Sequence, residues 1–378
     1  MTQILGLILA ATMAATAART EEVVSVYQHA SDVNAACFYQ TPDNTTYVST
    51  GDIDAMWLRD SSVQAMSYLH DRKLVRGVIS RQERMIALDP YANAFHRDYG
   101  VAEEKFELDS LAYPVRLVDL YAKETGDTGV FDARLHGELL VVLKTLASEQ
   151  DHRRLSSYHR NEHPIDSGIG LLWSAYRPSD DPQTYNYNTP ENMFAAVTLR
   201  TMAEMFVSRY RDDEAAHRAN AMAARIEGAI AAHARFRTRH GVMYAYEIDG
   251  LGHAKFMDDA NVPSLLSMPL LGYPYDRAAY ASTRKYILSP ANPFYFRGRY
   301  ASGIGSSHTP ANFIWPMSLV VEYRTSAYDS DRRRIVHELS RSNAGDGALH
   351  ESFDVNDPKR FTRERFGWVN ALFEQTFK

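Results

Sequence analysis

The sequence contains a single cysteine and no surplus of positive charge. Cys37 stands alone, so the chain can form neither an intramolecular disulfide nor a metal cluster built on several thiolates. The net charge is −6 and the isoelectric point is near 6.2, which argues against nucleic acid as the main partner. Hydrophobic residues make up 45% of the chain, enough for a large core. We therefore expect a globular protein that needs no covalent cross-link.

Long apolar runs are absent after the first residues. The segment 1–20 begins "MTQILGLILAATMAATA", which resembles the apolar core and cleavage site of a secretory signal, although its positive start is missing. The alternative is an apolar first helix that packs on the domain. The protein is secreted under the first interpretation and cytoplasmic under the second. No later run of about 18 apolar residues occurs, so we expect no membrane span.

Low-complexity linkers and shifts in composition are also absent, and the dominant period is helical. Residues 21–378 are therefore predicted to form one domain, mainly of helices. Two apolar stripes at spacings of three and four predict an antiparallel helical hairpin. The first stripe contains Ala195, Leu199, Met202 and Phe206, and the second contains Ala219, Met222, Ile226 and Ile230.

Two further segments carry a structural prediction. Phe366, Val369, Phe373 and Phe377 form a stripe that predicts a C-terminal helix, with Thr362 as its N-cap. The segment "GVMYAYEIDGLGHAKF" alternates between its two sides and then reaches a glycine-rich turn, which predicts a short β-hairpin inserted among the helices.

Polar and aromatic segments separate the helices. They include "TGDIDAMWLRDSS", "LDPYANAFHRD", "FELDSLAYPVR", "RPSDDPQTY", "FMDDANVPS", "RGRYASGIGSSHTPANFIWPM" and "GALHESFDVNDP". Each combines carboxylates or amides with aromatic residues, proline or glycine. Flat side chains cover the apolar face of a sugar, and fixed polar groups bind its hydroxyls. The composition of these segments indicates a carbohydrate pocket.

Eight motifs, in order from about Thr50 to the C-terminus, resemble those of glycoside hydrolase family 125. They are "GDIDAMWLRDSS", "DPYANAF", "ELDSLAYPVRL", "SAYRPSDD", "NMFAAVTLR", "MDDANVPSLL", "IWPMSL" and "HESFDVNDPKRFTRERFGWVNALF". The resemblance implies an all-α fold, an (α/α)6 barrel, and an exo-acting α-mannosidase, chiefly for α-1,6-linked mannose. It further implies an inverting reaction with two carboxyl groups and no metal or other cofactor. The expected partner is a mannose-containing glycan.

The same resemblance suggests the catalytic pair. Glu351 in "HESF" matches the general base of the family, and the general acid lies in "RPSDD". The candidates for the acid are Asp180 and Asp181, and the sequence does not separate them. An inverting glycosidase requires this division, because one carboxyl group protonates the leaving oxygen and the other activates a water on the opposite face.

The predicted substrate-binding residues lie in the remaining motifs. They are Asp52, Trp57, Arg59, Asp60, Asn93, Asp109, Asn261 and His308. A structural interpretation accompanies several of them: Arg59 and Asp60 are equally well explained as a buried ion pair. Trp57 is more typical of core packing than of sugar stacking. A hydrogen-bonded structural histidine explains His308 as well as a sugar contact does.

The chain departs from the family pattern at two places, and two other functions remain open. Asp54 stands where the family has proline, and Ser306 and Ser307 precede His308 where the family has "GGPH". The motifs "FMDDAN" and "PSDDPQ" are also similar to the magnesium-binding segments of helical terpenoid synthases. The third possibility is a mannoside-binding protein that has lost catalysis.

Overall fold

The structure of the protein, a computed structural model, describes residues 21–378. The apolar segment predicted at residues 1–20 lies outside these residues. Among the described helices, none combines the length and the apolar character that crossing a bilayer requires. The helices are α1 Glu21–Ala35, α2 Leu58–Ala65, α3 Arg72–Leu88, α4 Leu108–Thr125, α5 Ala133–Gln150, α6 His152–Leu155, α7 Thr189–Met205, α8 Asp213–His233, α9 Met268–Leu271, α10 Arg277–Ile287, α11 Pro316–Thr325, α12 Asp329–Ser340 and α13 Gly367–Phe377.

Short polar side chains determine where several helices begin. Asp71 accepts a hydrogen bond from the backbone N–H of Leu74 at the start of α3, and Asp212 accepts one from Ala215 at the start of α8. Asn188 caps α7 in the same way. Each cap satisfies a backbone donor that the helix itself leaves free.

The predicted helical hairpin is present. Helices α7 and α8 pack against each other, and all eight residues of the two predicted stripes are buried. Between them, residues Phe206–Tyr210 form a π-helical turn, and Arg211 adopts a left-handed conformation that ends it. The break falls at the polar run "RDDE", which separates the two stripes in the sequence.

The C-terminal helix is confirmed, but its predicted cap is wrong. All four residues of the stripe in and before α13 are buried. Thr362 instead ends a β-strand, where its hydroxyl lies 2.6 Å from the Ser352 hydroxyl. Phe366 occupies the N-cap position without a side-chain hydrogen bond. Pairing with the preceding strand therefore overrides the local capping preference of threonine.

The described residues also contain six small antiparallel sheets, where the sequence predicted one hairpin. The glycine-rich turn does join a hairpin of Glu247–Ile248 and Ala254–Lys255. The strand Gly241–Tyr244, however, pairs with the strand before it, Arg235–Thr238. The strands are β1 Phe38–Gln40, β2 Thr46–Val48, β3 Met56–Trp57, β4 Ala94–Phe95, β5 Val101–Glu103, β6 Tyr187–Asn188, β7 Arg235–Thr238, β8 Gly241–Tyr244, β9 Glu247–Ile248, β10 Ala254–Lys255, β11 Tyr295–Arg297, β12 Ser302–Ile304, β13 Phe313–Ile314, β14 Ser352–Asp354 and β15 Asp357–Thr362. Most of these strands are two or three residues long, too short to show a period in the sequence.

The hydrophobic core is continuous from Val23 to Phe377. Helix α4 packs against both α2 and α7, so the first turns of α2 and α4 hold their polar residues beside the core. Arg59 lies in the first turn of α2, and Asp109 in the first turn of α4. This packing buries charged groups that the sequence places at the starts of two helices.

Candidate active site

A polar cavity of about 320 Å³ brings together residues from five of the family motifs. It contains seven of the predicted site residues: Trp57, Arg59, Asp60, Asp180, Asn261, His308 and Glu351. The other four predicted residues, Asp52, Asn93, Asp109 and Asp181, do not line it. Each of these four instead contacts a residue that does.

Arg59 is the centre of charge in the floor of the cavity. Its guanidinium lies 2.7 Å from Glu107, 3.4 Å from Asp109 and 3.3 Å from Asp60. Asp180 is a fourth carboxylate, at 3.8 Å. The guanidinium also lies over the ring of Trp368, 4.4 Å from its centroid, a cation–π contact. One cation therefore serves four carboxyl groups.

This excess of carboxyl groups over cations favours the protonation of some of the carboxyl groups. Burial raises the pKa of Glu107 well above its usual range, and repulsion from Asp180 raises it further. Burial also raises the pKa of Asp109, to about 6, and that of Asp60, against the opposing effect of Arg59. The floor of the cavity thus retains protons on carboxyl groups at a pH where exposed carboxyl groups are ionised.

The loop "RPSDD" forms a tight turn that separates its two aspartates. The backbone N–H of Asp180 donates to Arg177, and the N–H of Arg177 donates to the carbonyl of Asp181. Asp180 has a φ of +64°, in the left-handed region that aspartate tolerates better than most residues. Its Oδ1 accepts a hydrogen bond from Asn93 Nδ2 at 3.1 Å. The turn and Asn93 together point Asp180 into the cavity.

Asp181 faces a different set of groups. Its Oδ2 accepts a hydrogen bond from the Ser307 hydroxyl at 2.5 Å, and its Oδ1 lies 3.3 Å from His308 Nδ1. Burial raises the pKa of Asp181, but the hydrogen bonds from His308 and Ser307 outweigh it and the net pKa is low. The hydrogen bond to Asp181 raises the pKa of His308 to about 8. Asp181 is thus held as a carboxylate.

Glu351 lies at another wall of the cavity, just before β14. Burial raises its pKa, while the nearby Arg363 opposes the shift. Arg363 Nη1 is 3.9 Å from Glu351, and its Nε donates to Asp52 at 2.5 Å. Asp52 therefore acts on the cavity through Arg363, which lines it.

Several polar atoms at the cavity have no partner within the protein. They include Trp57 Nε1 and Asp60 Oδ2, whose approach to Arg59 lacks the geometry of a hydrogen bond. Trp57 is only half-buried and lines the cavity, so it does not pack in the core as its apolar character suggested. Asn261 also lines the cavity and donates to Asp259 at 3.0 Å. These atoms therefore have unused hydrogen-bonding capacity in residues that line the cavity.

Sequence reasoning missed three charged residues of the site. Glu107 lies in the same motif as Asp109, and Arg363 lies in the same motif as Glu351. Lys105, which lines the cavity and pairs with Glu103 at 2.6 Å, lies just before a motif. The density of charge in "EEKFELD" was the available signal, since buried charges need partners.

The "MDDAN" segment does not present free carboxylates. Asp258 accepts hydrogen bonds from the backbone N–H groups of Leu265 and Leu266, both at 2.8 Å. Asp259 accepts from Asn261 and, at 3.2 Å, from Ser306. Ser306, at one of the departures from the family pattern, therefore has a structural partner. Both aspartates therefore accept hydrogen bonds that hold loops in place.

Comparison with known proteins identifies a family. Residues 8–377 match the family of metal-independent α-mannosidases, GH125. The "Meiotically up-regulated gene 157 protein" of Schizosaccharomyces pombe is 35% identical, over 87% of this chain and 75% of its own length. An α-mannosidase of Streptococcus pneumoniae, solved as a non-productive complex with α-1,6-mannobiose, is 35% identical with a TM-score of 0.90, covering 99% of this chain and 97% of that one.

More distant structures share the fold alone. A GH78 rhamnosidase of Bacillus sp. GL1 has a TM-score of 0.63 at 16% identity, covering 94% of this chain and 34% of that one. The match to GH125 overturns the terpenoid-synthase interpretation. Its "DD" signal comes from a turn and from loop-holding carboxylates. The chain belongs to glycoside hydrolase family 125, the metal-independent α-mannosidases.

Proposed function

We propose that the protein is an exo-acting α-mannosidase that removes non-reducing terminal mannose, chiefly α-1,6-linked, with inversion at the anomeric carbon. The observation that carries the proposal is that Asp180 and Glu351 line one cavity, while Asp181 does not. Membership of GH125 supports the mannosidase activity, and the α-1,6-mannobiose complex of the S. pneumoniae relative supports the linkage.

Asp180 is the proposed general acid and Glu351 the proposed general base. Asp180 gives its proton to the glycosidic oxygen as the bond to the anomeric carbon breaks. Glu351 takes a proton from a water, which attacks the same carbon from the opposite face. The two carboxyl groups of inverting enzymes are about 6.5–9.5 Å apart, which leaves room for that water. Ser307 and His308 already engage Asp181, which supports the choice of Asp180.

The other predicted residues divide into two proposed roles. Trp57, Arg59, Asp60, Asn261 and His308 line the cavity and are proposed to contact the sugar directly. The remaining three are proposed to position these groups or the catalytic pair: Asn93 acts on Asp180, Asp109 on Arg59, and Asp52 on Arg363. A sugar hydroxyl that pairs with Trp57 Nε1 or Asp60 Oδ2 would satisfy an atom that lacks a partner in the free protein.

We further propose that residues 21–378 form a single catalytic domain whose helices are arranged as an (α/α)6 barrel. The continuous core supports a single domain, and the packing of α4 between α2 and α7 is consistent with two layers of helices. A crystal structure in which six inner helices surround the cavity would establish the barrel.

The first test is proton NMR of purified protein hydrolysing α-1,6-mannobiose in the presence of EDTA. Early release of β-mannose is expected, because inversion converts the α-linkage to the β-anomer. The variant Glu351→Ala is expected to lose turnover. Glu364→Ala is the matched control, since Glu364 is an exposed glutamate outside the cavity.

Three outcomes would contradict the proposal in different ways. Initial release of α-mannose would rule out inversion. Hydrolysis of α-1,2- or α-1,3-mannobiose with no action on the α-1,6 isomer would overturn the linkage. Retained turnover in Glu351→Ala would remove Glu351 as the base.

A further inference from the structure

Outside the active-site cavity, two histidines meet a glutamate just after helix α5. His152 begins the short helix α6, and His159 and Glu162 lie on the loop that follows. One potential ligand atom from each residue lies within 4.8 Å of the other two. Within residues 21–378, this is the one group of three or more such side chains that meets this distance condition.

His152 is fixed in the orientation that a metal ligand requires. Its ring is buried and stacks on Trp173, with ring centroids 3.7 Å apart. Its Nδ1 lies 2.5 Å from Glu149 Oε2, and the Tyr91 hydroxyl donates to the other oxygen of Glu149 at 2.8 Å. Because Glu149 accepts, Nδ1 of His152 carries the proton. A carboxylate that holds the far nitrogen of a histidine is the usual outer partner of a metal-binding imidazole.

The opposite nitrogen of His152 faces a carboxylate oxygen. His152 Nε2 is 3.1 Å from Glu162 Oε1, and His159 Nδ1 is 2.6 Å from the same oxygen. Because Nδ1 of His152 is turned to Glu149, Nε2 is the nitrogen that faces the other two side chains and is open to a cation. A metal cation among the three atoms would accept electron pairs from all of them. The side chains of His159 and Glu162 are exposed, so a cation can enter from solvent.

We propose that His152 Nε2, His159 Nδ1 and Glu162 bind one divalent cation of the zinc class. Two imidazole nitrogens and one carboxylate suit zinc, whereas magnesium and calcium favour sets made of oxygen atoms. Water completes the coordination. The cation holds structure and takes no part in glycoside hydrolysis, so the site is compatible with a metal-independent family.

The site would anchor the segment that flanks the proposed acid loop. Asn161, next to Glu162, donates to the carbonyls of Ala175 and Gln183, on either side of the "RPSDD" turn. The backbone N–H of His163 donates to Asn186 at 2.9 Å. A bound cation would therefore stabilise the loop 152–162 and the base of the turn that it contacts.

The test is calorimetric titration of ZnCl₂ into EDTA-treated, desalted protein at about pH 7.5, where free imidazoles are neutral. Binding of one Zn²⁺ per chain is expected, with a rise in Tm of several degrees at saturation. His159→Ala is expected to abolish both effects. Glu149→Gln, which removes the outer carboxylate charge, is expected to weaken binding by about 10–100-fold.

His253→Ala is the matched control. His253 Nδ1 lies 2.6 Å from Asp249, and its side chain is as exposed as that of His159, but it belongs to no such group. Zn²⁺ binding is expected to be unchanged in this variant, and hydrolysis of α-1,6-mannobiose is expected to be the same with EDTA as with Zn²⁺. Absence of binding, or equal binding by wild type and His159→Ala, would overturn the proposal and leave the contacts as hydrogen bonds alone.

Discussion

Two buried arginines near the active site have opposite surroundings. The Arg59 cluster consists of Arg59, Asp60, Glu107, Asp109 and Asp180, with one cation among four carboxyl groups. The Arg177 cluster consists of Arg177, Glu247, Asp181, Ser307 and His308. In the second cluster, cations and carboxylates are equal in number if His308 is protonated.

The clusters also differ in how completely their hydrogen bonds are formed. Asp60 Oδ2, Glu107 Oε1 and Asp109 Oδ1 are buried without a hydrogen-bond partner. Each oxygen of Glu247, by contrast, has a donor: Arg177 Nε for one, and the backbone N–H groups of residues 184 and 185 for the other. A saturated network maintains structure, whereas an unsaturated one keeps polar atoms available for a ligand. The comparison supports the proposal that the Arg59 cluster serves binding and chemistry. In the Arg177 cluster, Arg177, Glu247 and Asp181 are proposed to give support, while His308 also lines the cavity.

The largest expected effect separates the adjacent aspartates, one in each cluster. Asp180→Asn is expected to lower kcat for α-1,6-mannobiose by about 10²–10⁴-fold, because the leaving oxygen loses its proton donor. Asp181→Asn is expected to reduce kcat by less than about 10-fold on the same basis. Both rates are measured at equal concentrations of protein shown to be folded by circular dichroism.

A change of leaving group provides the control. The phenolate of an aryl α-mannoside with an acidic phenol leaves without protonation. Asp180→Asn is therefore expected to retain much more activity on this substrate than on mannobiose. If Asp181→Asn shows this recovery and Asp180→Asn does not, the roles of the two clusters are reversed.

The two aspartates also show what the sequence could and could not provide. The motif located both residues, but their neighbours in space, Asn93 for one and His308 for the other, come from segments 87 and 127 residues away along the chain. The local sequence pattern does not indicate which distant residues will pair. The left-handed conformation of Asp180 cannot be predicted from the sequence either, because the φ angle of a single residue produces no sequence pattern.

Periodic features were predicted more successfully than caps and short strands. The stripes of α7, α8 and α13 repeat over several turns and match the buried residues. Thr362 was assigned a local role as an N-cap, but pairing between β14 and β15 determines its position. For the site, the motifs supplied seven residues that line the cavity, while Glu107 and Arg363 required knowledge of which charges pair in space.

The second prediction compares the stability of the clusters. Glu247→Gln is expected to lower the free energy of unfolding by about 3–5 kcal/mol, because it leaves the buried Arg177 without its charge partner. Glu107→Gln is expected to change it by less than about 1 kcal/mol, since two other carboxyl groups remain within 3.4 Å of Arg59. Urea unfolding at about pH 5 measures both values. A larger loss in Glu107→Gln would show that the Arg59 cluster is the structural one.

A smaller effect concerns pH. The pKa of Glu107 is raised in the folded protein, so the native state keeps a proton that the unfolded chain has released. The stabilisation is complete below the unfolded pKa near 4.5 and is lost as pH rises towards the folded pKa. Wild type is expected to lose up to about 1.4 kcal/mol per pH unit relative to Glu107→Gln as pH rises above 5. Parallel curves of unfolding free energy against pH would contradict this.

The smallest expected effect on stability concerns His308 in the Arg177 cluster. The direction of its pH dependence also follows from its pKa. Its pKa is raised from 6.5 to about 8 by the hydrogen bond to Asp181, so the stabilisation is complete below pH 6.5 and is lost as pH rises through 8. The His308 side chain is more than a third exposed, and solvent screening keeps the gain in stability small. Titration followed by NMR of labelled histidine, with His308→Gln to assign the signal, measures the pKa directly.

Asp181→Asn is expected to return the midpoint of the His308 titration towards 6.5. Asp180→Asn is expected to move it much less, because Asp180 acts on His308 only through its charge. An equal shift in both variants would mean that the two aspartates share one electrostatic environment, and the division into two clusters would fail.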